Sequence, residues 1–130
     1  MLCIETKNLR KKYASTVAVD SIDLQIESGQ VFGFLGPNGA GKSTVIKLLT
    51  TLISPSNGEI SVLGIDSSKH PLEIRKKIGV VLQQPSYEPT LSAEKSLDKY
   101  GMMWNIDKKI RKKRTEELLS AFGLEEIRKK

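Results

Sequence analysis

The sequence of 130 residues predicts an α/β fold in which strands surround a phosphate-binding loop and helices alone follow them. Residues 36–44 match the loop pattern G-x-x-x-x-G-K-[S/T] in full. Two N-terminal segments alternate apolar with polar residues, and strand patterns end near residue 84. The sequence therefore predicts a nucleotide-binding core over residues 1–84 and a partial helical subdomain over residues 85–130.

The N-terminal segments 2–9 and 21–27 have the period of strands with one exposed face. Two antiparallel strands are the simplest interpretation. The Ser-Gly-Gln sequence of residues 28–30 predicts a turn. The apolar run Val31–Leu35 after it predicts a buried strand that enters the phosphate-binding loop.

Each fixed position of the loop has a physical reason. Gly39 and Gly41 allow positive φ and let backbone N–H groups converge on phosphate oxygens. The helix predicted after the loop points its unpaired N–H groups and its positive dipole end at the same phosphates. Lys42 would reach the β- and γ-phosphates, and the hydroxyl of Ser43 would ligate Mg²⁺. The predicted nucleotide-binding residues of the loop are Asn38, Gly39, Ala40, Gly41, Lys42, Ser43 and Thr44.

The alternative for this segment is an ordinary glycine-rich turn, because Asn38-Gly39 alone is a hairpin signal. The complete pattern, with an apolar strand before it and a helix after it, favours the nucleotide site.

Further elements follow the loop helix. Residues 59–63 predict a strand, and Pro71 suits the first turn of a short charged helix from Leu72 to Lys77. The β-branched run 78–82 predicts a second buried strand. Beyond it the pattern is helical, with Ser92 as a helix cap.

The net charge of +6 is concentrated in residues 105–130, which hold nine basic and five acidic residues. A nucleic-acid or anionic membrane surface is one interpretation. We favour the solvated face of an amphipathic helix, because no aromatic residues interleave the charges. Apolar residues spaced by four would form its buried face: Ile106, Ile110, Leu118 and Phe122.

The composition bounds the class of protein further. No apolar run approaches the length of a membrane span. The N-terminus has no basic region, and Glu5 interrupts any hydrophobic core of a secretory signal, so we expect a cytosolic chain. Cys3, the single cysteine, rules out an internal disulfide and a multi-cysteine metal site.

Three segments around the loop carry a resemblance to a known family. Residues 8–13 (NLRKKY), 18–24 (AVDSIDL) and 36–44 (GPNGAGKST) together resemble the ATP-binding subunit of ABC transporters. Residues 78–83 look like that family's strand leading into the glutamine loop, and residues 84–85 and 87–92 are similar to drug- and antibiotic-export subunits. The resemblance covers the whole chain. It implies a P-loop nucleotide hydrolase core with an N-terminal antiparallel β subdomain and the start of a helical subdomain, truncated.

The resemblance also implies roles for residues outside the loop. Tyr13 would stack on adenine, and Val19 would add apolar contact to the same ring. Gln83 would touch Mg²⁺ and the attacking water; its neighbour Gln84 is the alternative, but Gln83 directly follows the apolar strand. The implied cofactors are ATP and Mg²⁺. The implied partners are transmembrane permease subunits and a second ATP-binding subunit, with the protein peripheral on the cytoplasmic face of the membrane and no nucleic acid bound.

Several parts of that family's machinery do not occur in the sequence. The run Val62–Asp66 superficially resembles the strand that ends in Asp-Glu, but Gly64 weakens a strand and Ser67 stands at the glutamate position. The Leu-Ser-Gly-Gly-Gln signature and the switch histidine are absent, and His70 is expected at the surface. We therefore expect an N-terminal portion that binds ATP with negligible turnover, no catalytic residue, and an incomplete, poorly stable parallel sheet. The alternatives are a non-catalytic nucleotide-binding fragment and another P-loop NTPase.

Overall fold

The computed structural model describes residues 1–81 and 88–129. The chain divides into two units, residues 1–81 and residues 82–130. The first unit contains β1 (Leu2–Tyr13), β2 (Thr16–Glu27), α1 (Lys42–Leu49), β3 (Asn57–Val62), β4 (Ile65–Asp66) and α2 (Pro71–Lys77). The second contains α3 (Ala93–Met103) and α4 (Lys108–Ala121). The boundary predicted after residue 84 lies among residues 82–87, outside the described residues, and stays a prediction.

The first unit is built on a four-stranded antiparallel sheet in the order β2-β1-β3-β4. The predicted antiparallel pair of N-terminal strands is confirmed, and both strands are longer than their patterns indicated. Thr6 lies opposite Leu24 on one side and Ile60 on the other. Its buried hydroxyl donates to Ile22 O at 2.9 Å and accepts from Leu24 N–H at 3.0 Å, so the polar group is satisfied within the sheet.

The segment Val62–Asp66 forms a tight hairpin between β3 and β4. Leu63 and Gly64 both have positive φ, at +54° and +75°, which is the conformation of a two-residue hairpin turn. Strand β4 ends at Asp66, whose carboxylate accepts hydrogen bonds from the backbone N–H and the hydroxyl of Ser68. These bonds lower the pKa of Asp66 to about 2. The segment is thus a hairpin that joins two short strands, and it differs from the single strand ending in Asp-Glu that the family pattern has.

The core of this unit lies between the sheet and helices α1 and α2. In α1, the buried residues Val45, Leu48 and Leu49 follow the spacing of one helix face, while Ile46 remains 43% exposed. Pro71 occupies the first turn of α2, as predicted. The buried core residues are Leu9, Val19, Val45, Leu48, Leu49, Ile60, Val62 and Ile74.

The two predicted buried strands do not form. The segment Val31–Leu35 has no strand structure, and Val31 and Leu35 are fully exposed, although Phe34 packs against the core. Residues 78–81 likewise form no strand, and Val81 is exposed. A parallel central strand exists only through hydrogen bonds to neighbouring strands, and the described part of the chain pairs no strand with either segment. Leu82 lies outside the described residues.

Helices α3 and α4 form the second unit. Ser92 caps α3, as predicted, by accepting a hydrogen bond from Lys95 N–H at 3.4 Å. Asp107 caps α4 by accepting from Lys109 N–H at 2.8 Å. Among the described residues, no helix has both the length and the apolarity that crossing a bilayer requires.

The buried face predicted for the C-terminal helix is wrong. Ile106, Ile110, Leu118 and Phe122 are all exposed. The buried side chains of α4 are instead Thr115 and Leu119. One turn before them, Arg111 packs its stem close to Gly101 of α3 and donates to Asp98 Oδ1 at 2.7 Å. Long charged side chains can bury their aliphatic stems. Arg111 is therefore the first residue of the buried face of α4, where the pattern had placed Ile110.

Candidate functional site

The phosphate-binding loop leads directly into α1, and glycines in the left-handed region shape it. Gly39 has φ +86° and Gly41 has φ +84°. Gly41 is the N-cap residue of α1, and its carbonyl accepts the first helical hydrogen bond from Val45 N–H at 2.9 Å. The helix predicted after the loop is confirmed, and it begins at Lys42.

The loop rests directly on strand β2. A Cβ built on Gly41 would lie 2.2 Å from Ala18 O and 3.6 Å from Val19 Cγ2. Only glycine allows so close an approach between the two backbones. Ala18 therefore supports the loop, a role that its position in the alternating strand pattern does not indicate.

The N-terminus of α1 keeps its backbone donors unpaired within the helix. The N–H groups of Lys42, Ser43 and Thr44 precede the first i−4 partner, no side chain caps them, and the first turn holds no acidic residue. The N-termini of α3 and α4, in contrast, are each capped by a side chain. An anion at α1 would meet both these donors and the positive end of the helix dipole.

Lys42 places its ammonium group at the start of the loop. Its Nζ donates to Gly36 O and to Pro37 O, each at 2.7 Å. An ammonium has three donors, so these two bonds leave a third for a ligand oxygen. The same two carbonyls keep the positive charge beside the uncapped helix end, where it adds to the attraction for an anion.

The remaining predicted loop residues have surface for a ligand. Ser43 is on the first turn of α1 and is exposed, and Thr44 beside it is half-buried. Asn38 and Ala40 are exposed, and Ala40 N–H donates to Pro37 O at 3.3 Å. The structure thus brings the predicted residues 38–44 together with Ala18 and Val19 of β2.

The predicted base-binding residues differ in their exposure. Tyr13, at the end of β1, is 45% exposed, and Lys11 Nζ lies 5.2 Å from its ring centroid. Its ring therefore has surface on which a base could stack. Val19 is only 3% exposed and belongs to the core, so it has little surface to offer a base. Gln83 lies outside the described residues.

His70, which the sequence analysis excluded from the site, lies at the surface. His70 is exposed at the N-cap position of α2 and caps no backbone donor with its side chain. Within residues 1–81 and 88–129, no group of three His, Cys, Asp or Glu side chains could hold a metal ion by itself. The predicted metal ligand Ser43 lies on the first turn of α1, and its role stays a prediction.

A glycine loop that continues into an uncapped helix, with a lysine at its first turn, defines the P-loop class of nucleotide-binding proteins. The family model described as ABC transporter matches residues 19–130. The chain belongs to the ABC transporter family, as the resemblance implied.

Individual relatives agree with this assignment. The chain is 40% identical over 125 residues to the daunorubicin/doxorubicin resistance ATP-binding protein DrrA of Streptomyces peucetius, covering 96% of this chain and 38% of the relative. A dimeric ATP-binding cassette in a post-hydrolysis state, bound to ADP and Pi, is 27% identical with a TM-score of 0.82. That match covers 97% of this chain and 60% of the solved one.

A third relative is cbiO1 from Clostridium perfringens, which is part of the ABC transporter complex cbiONQ. It is 26% identical with a TM-score of 0.82, and the match covers 99% of this chain and 53% of the solved one. The chain thus spans about two fifths of the length of DrrA and slightly more than half of the two solved chains.

Proposed function

We propose that this chain binds ATP with Mg²⁺ as part of the nucleotide-binding subunit of an ABC transporter. The observation that carries the proposal is the N-terminal turn of α1, whose backbone donors are uncapped while Lys42 lies beside them. Because Gly41 fixes this turn against Ala18, the donors are oriented before the ligand arrives.

Each predicted residue has a distinct role in this proposal. The backbone of residues 38–44 and the ammonium of Lys42 bind the phosphates, and the ring of Tyr13 stacks on adenine. Ser43 ligates Mg²⁺, since its hydroxyl belongs to the turn that meets the phosphates. Gln83 is the proposed further contact to Mg²⁺ and to the attacking water. Mg²⁺ would neutralise charge on the phosphate oxygens.

The proposed partners follow from the family and its named members. A solved relative is dimeric, and another is part of a transporter complex. We propose that the protein containing this chain pairs with a second ATP-binding subunit and with transmembrane permease subunits, at the cytoplasmic face of the membrane. The DrrA relative is named for resistance to daunorubicin and doxorubicin. On that basis we propose export of a drug-like compound as the transport function.

A second candidate function is nucleotide binding without hydrolysis. The specific observation is the hairpin at Val62–Asp66, which provides no strand ending in adjacent carboxylates. Asp66 uses its carboxylate to accept two bonds from Ser68. Under this proposal the chain retains ATP and releases no phosphate.

Titration with a fluorescent ATP analogue in the presence of Mg²⁺ tests the proposed binding. Lys42→Ala should weaken the affinity roughly 10- to 100-fold, because a charge-assisted bond contributes about 1.5–3 kcal/mol. Lys47→Ala, which removes a lysine from the last turn of the same helix, is the matched control and should bind like wild type. Equal affinities for all three proteins would refute the site.

A phosphate-release assay on the same proteins separates the two candidates. Turnover that disappears in Lys42→Ala would identify an ATPase within these residues. Binding without turnover supports the second candidate. Competition by ATP and GTP provides a further check. Stacking on Tyr13 accommodates either purine base, whereas the family predicts a preference for ATP.

A further inference from the structure

Helix α1 is terminated by a threonine, Thr51, whose backbone is in the left-handed conformation that glycine usually adopts. Thr51 has φ +58°; its N–H donates to Leu48 O at 3.0 Å, and Leu52 N–H donates to Lys47 O at 2.9 Å. This pair of bonds is a Schellman motif, in which glycine usually takes the left-handed position. A β-branched residue is strained there and keeps the conformation only where its surroundings impose it.

Arg75 of α2 supplies that constraint. Its Nε donates to Thr51 Oγ1 at 2.8 Å, and its Nη2 donates to Thr51 O at 2.9 Å. Thr51 is buried, so both of these oxygens depend on the guanidinium for a strong donor. The planar fork of arginine presents the two donors in fixed directions, which the single ammonium of lysine does not reproduce. Arg75 therefore clamps the end of α1 to α2.

We propose that Arg75 is a positioning residue for the nucleotide site. Helix α1 has eight residues, about 12 Å in length, and three of them are buried in the core. Such a short packed helix moves as a unit, so the clamp at Thr51 sets the orientation of the turn that carries Lys42 and Ser43. Arg75 acts through Thr51 and α1. This inference rests on the proposed function of that turn.

The test compares Arg75→Gln and Arg75→Lys with Lys76→Gln, a matched control that removes a neighbouring exposed charge from the same helix. The first readout is the NMR shift and hydrogen exchange of the amides of residues 42–44 without nucleotide. The second is the affinity for a fluorescent ATP analogue with Mg²⁺. Arg75→Gln should shift the amides and weaken binding roughly tenfold, Arg75→Lys should recover part of both, and Lys76→Gln should change neither.

Replacing Thr51 with glycine removes the strain that the clamp holds. Glycine adopts φ +58° freely, so Arg75→Gln should lose much less affinity in the Thr51→Gly background than in the wild-type background. This comparison also covers the case in which Arg75→Gln alone fails to fold, since the double variant restores the helix termination without the clamp.

The outcomes separate the inference from the proposed function. Wild-type amide shifts and affinity in Arg75→Gln would overturn the inference, as would an equal loss in Lys76→Gln. Equal losses in the wild-type and Thr51→Gly backgrounds would show that Arg75 does not act through Thr51. If the wild-type chain binds no nucleotide, the proposed function fails, and the amide readout still decides the role of Arg75.

Discussion

Replacing Gly41 with alanine tests whether the phosphate-binding loop depends on its contact with β2. The new Cβ would lie 2.2 Å from Ala18 O, whereas ordinary contact begins at 3.4 Å. The loop or the strand must therefore shift by about an ångström. The nearest atoms belong to the backbone of Ala18, so no flexible side chain can absorb this shift. The N–H groups at the start of α1 would lose their orientation toward a phosphate.

Gly39→Ala is a matched control for the magnitude of this effect. Gly39 has φ +86°, nearly the same as the +84° of Gly41, but a Cβ there would meet no atom within 4 Å. Both variants carry the left-handed strain of about 1–2 kcal/mol, which corresponds to roughly five- to thirtyfold in affinity. Only Gly41→Ala adds the clash, about 1–3 kcal/mol for an overpacked site. It should therefore bind roughly five- to 150-fold more weakly than Gly39→Ala.

Titration with a fluorescent ATP analogue and Mg²⁺ measures both affinities, and circular dichroism confirms that both variants fold. Equal losses in the two variants would refute the reasoning, because the contact with Ala18 would then contribute nothing. Wild-type affinity in Gly41→Ala would refute the assignment of this turn as the phosphate site.

Three further predictions concern stability. Leu48→Ala should lower the free energy of unfolding by about 2–5 kcal/mol because Leu48 is fully buried, and Ile46→Ala on the exposed side of α1 by much less, as urea denaturation would measure. Asp107→Ala should destabilise α4 by about 1 kcal/mol through loss of its cap, seen as faster exchange of the capped amide; protection at the wild-type level would contradict this. The pKa of Asp66 is lowered from 3.8 to about 2 in the folded chain, so its ionised carboxylate stabilises the fold above pH 3.8, and this stability is lost as the pH falls through about 2. An NMR titration should show the pKa rising toward 3.8 in Ser68→Ala.

The sequence predicted those parts of the fold that local patterns determine. Alternation identified β1 and β2, the loop motif identified the start of α1, and Ser92 identified the start of α3. The prediction of a strand at Val31–Leu35 was wrong. An apolar composition indicates burial, but a strand also needs hydrogen-bonding partners that are distant in sequence.

The remaining differences have other physical causes. The buried face of α4 was missed because Arg111 contributes its aliphatic stem to it, which a pattern of apolar residues does not register. The left-handed Thr51 was missed because glycine is the usual signal for that conformation, and the bonds from Arg75 that stabilise it come from another helix. In the site, Ala18 was missed because its contribution is a backbone contact, independent of its side chain.

The phosphate site and the segment that leads into it depend on different contacts. The turn at Lys42 is positioned by Gly41 against Ala18, by the buried face of α1, and by Arg75 at the far end of that helix. All of these contacts lie within residues 1–81. The segment 31–35 forms no strand, although the loop after it keeps both left-handed glycines and the lysine contacts to its own carbonyls. Phosphate binding should therefore depend on β2, α1 and α2 more than on pairing of the segment that precedes the loop.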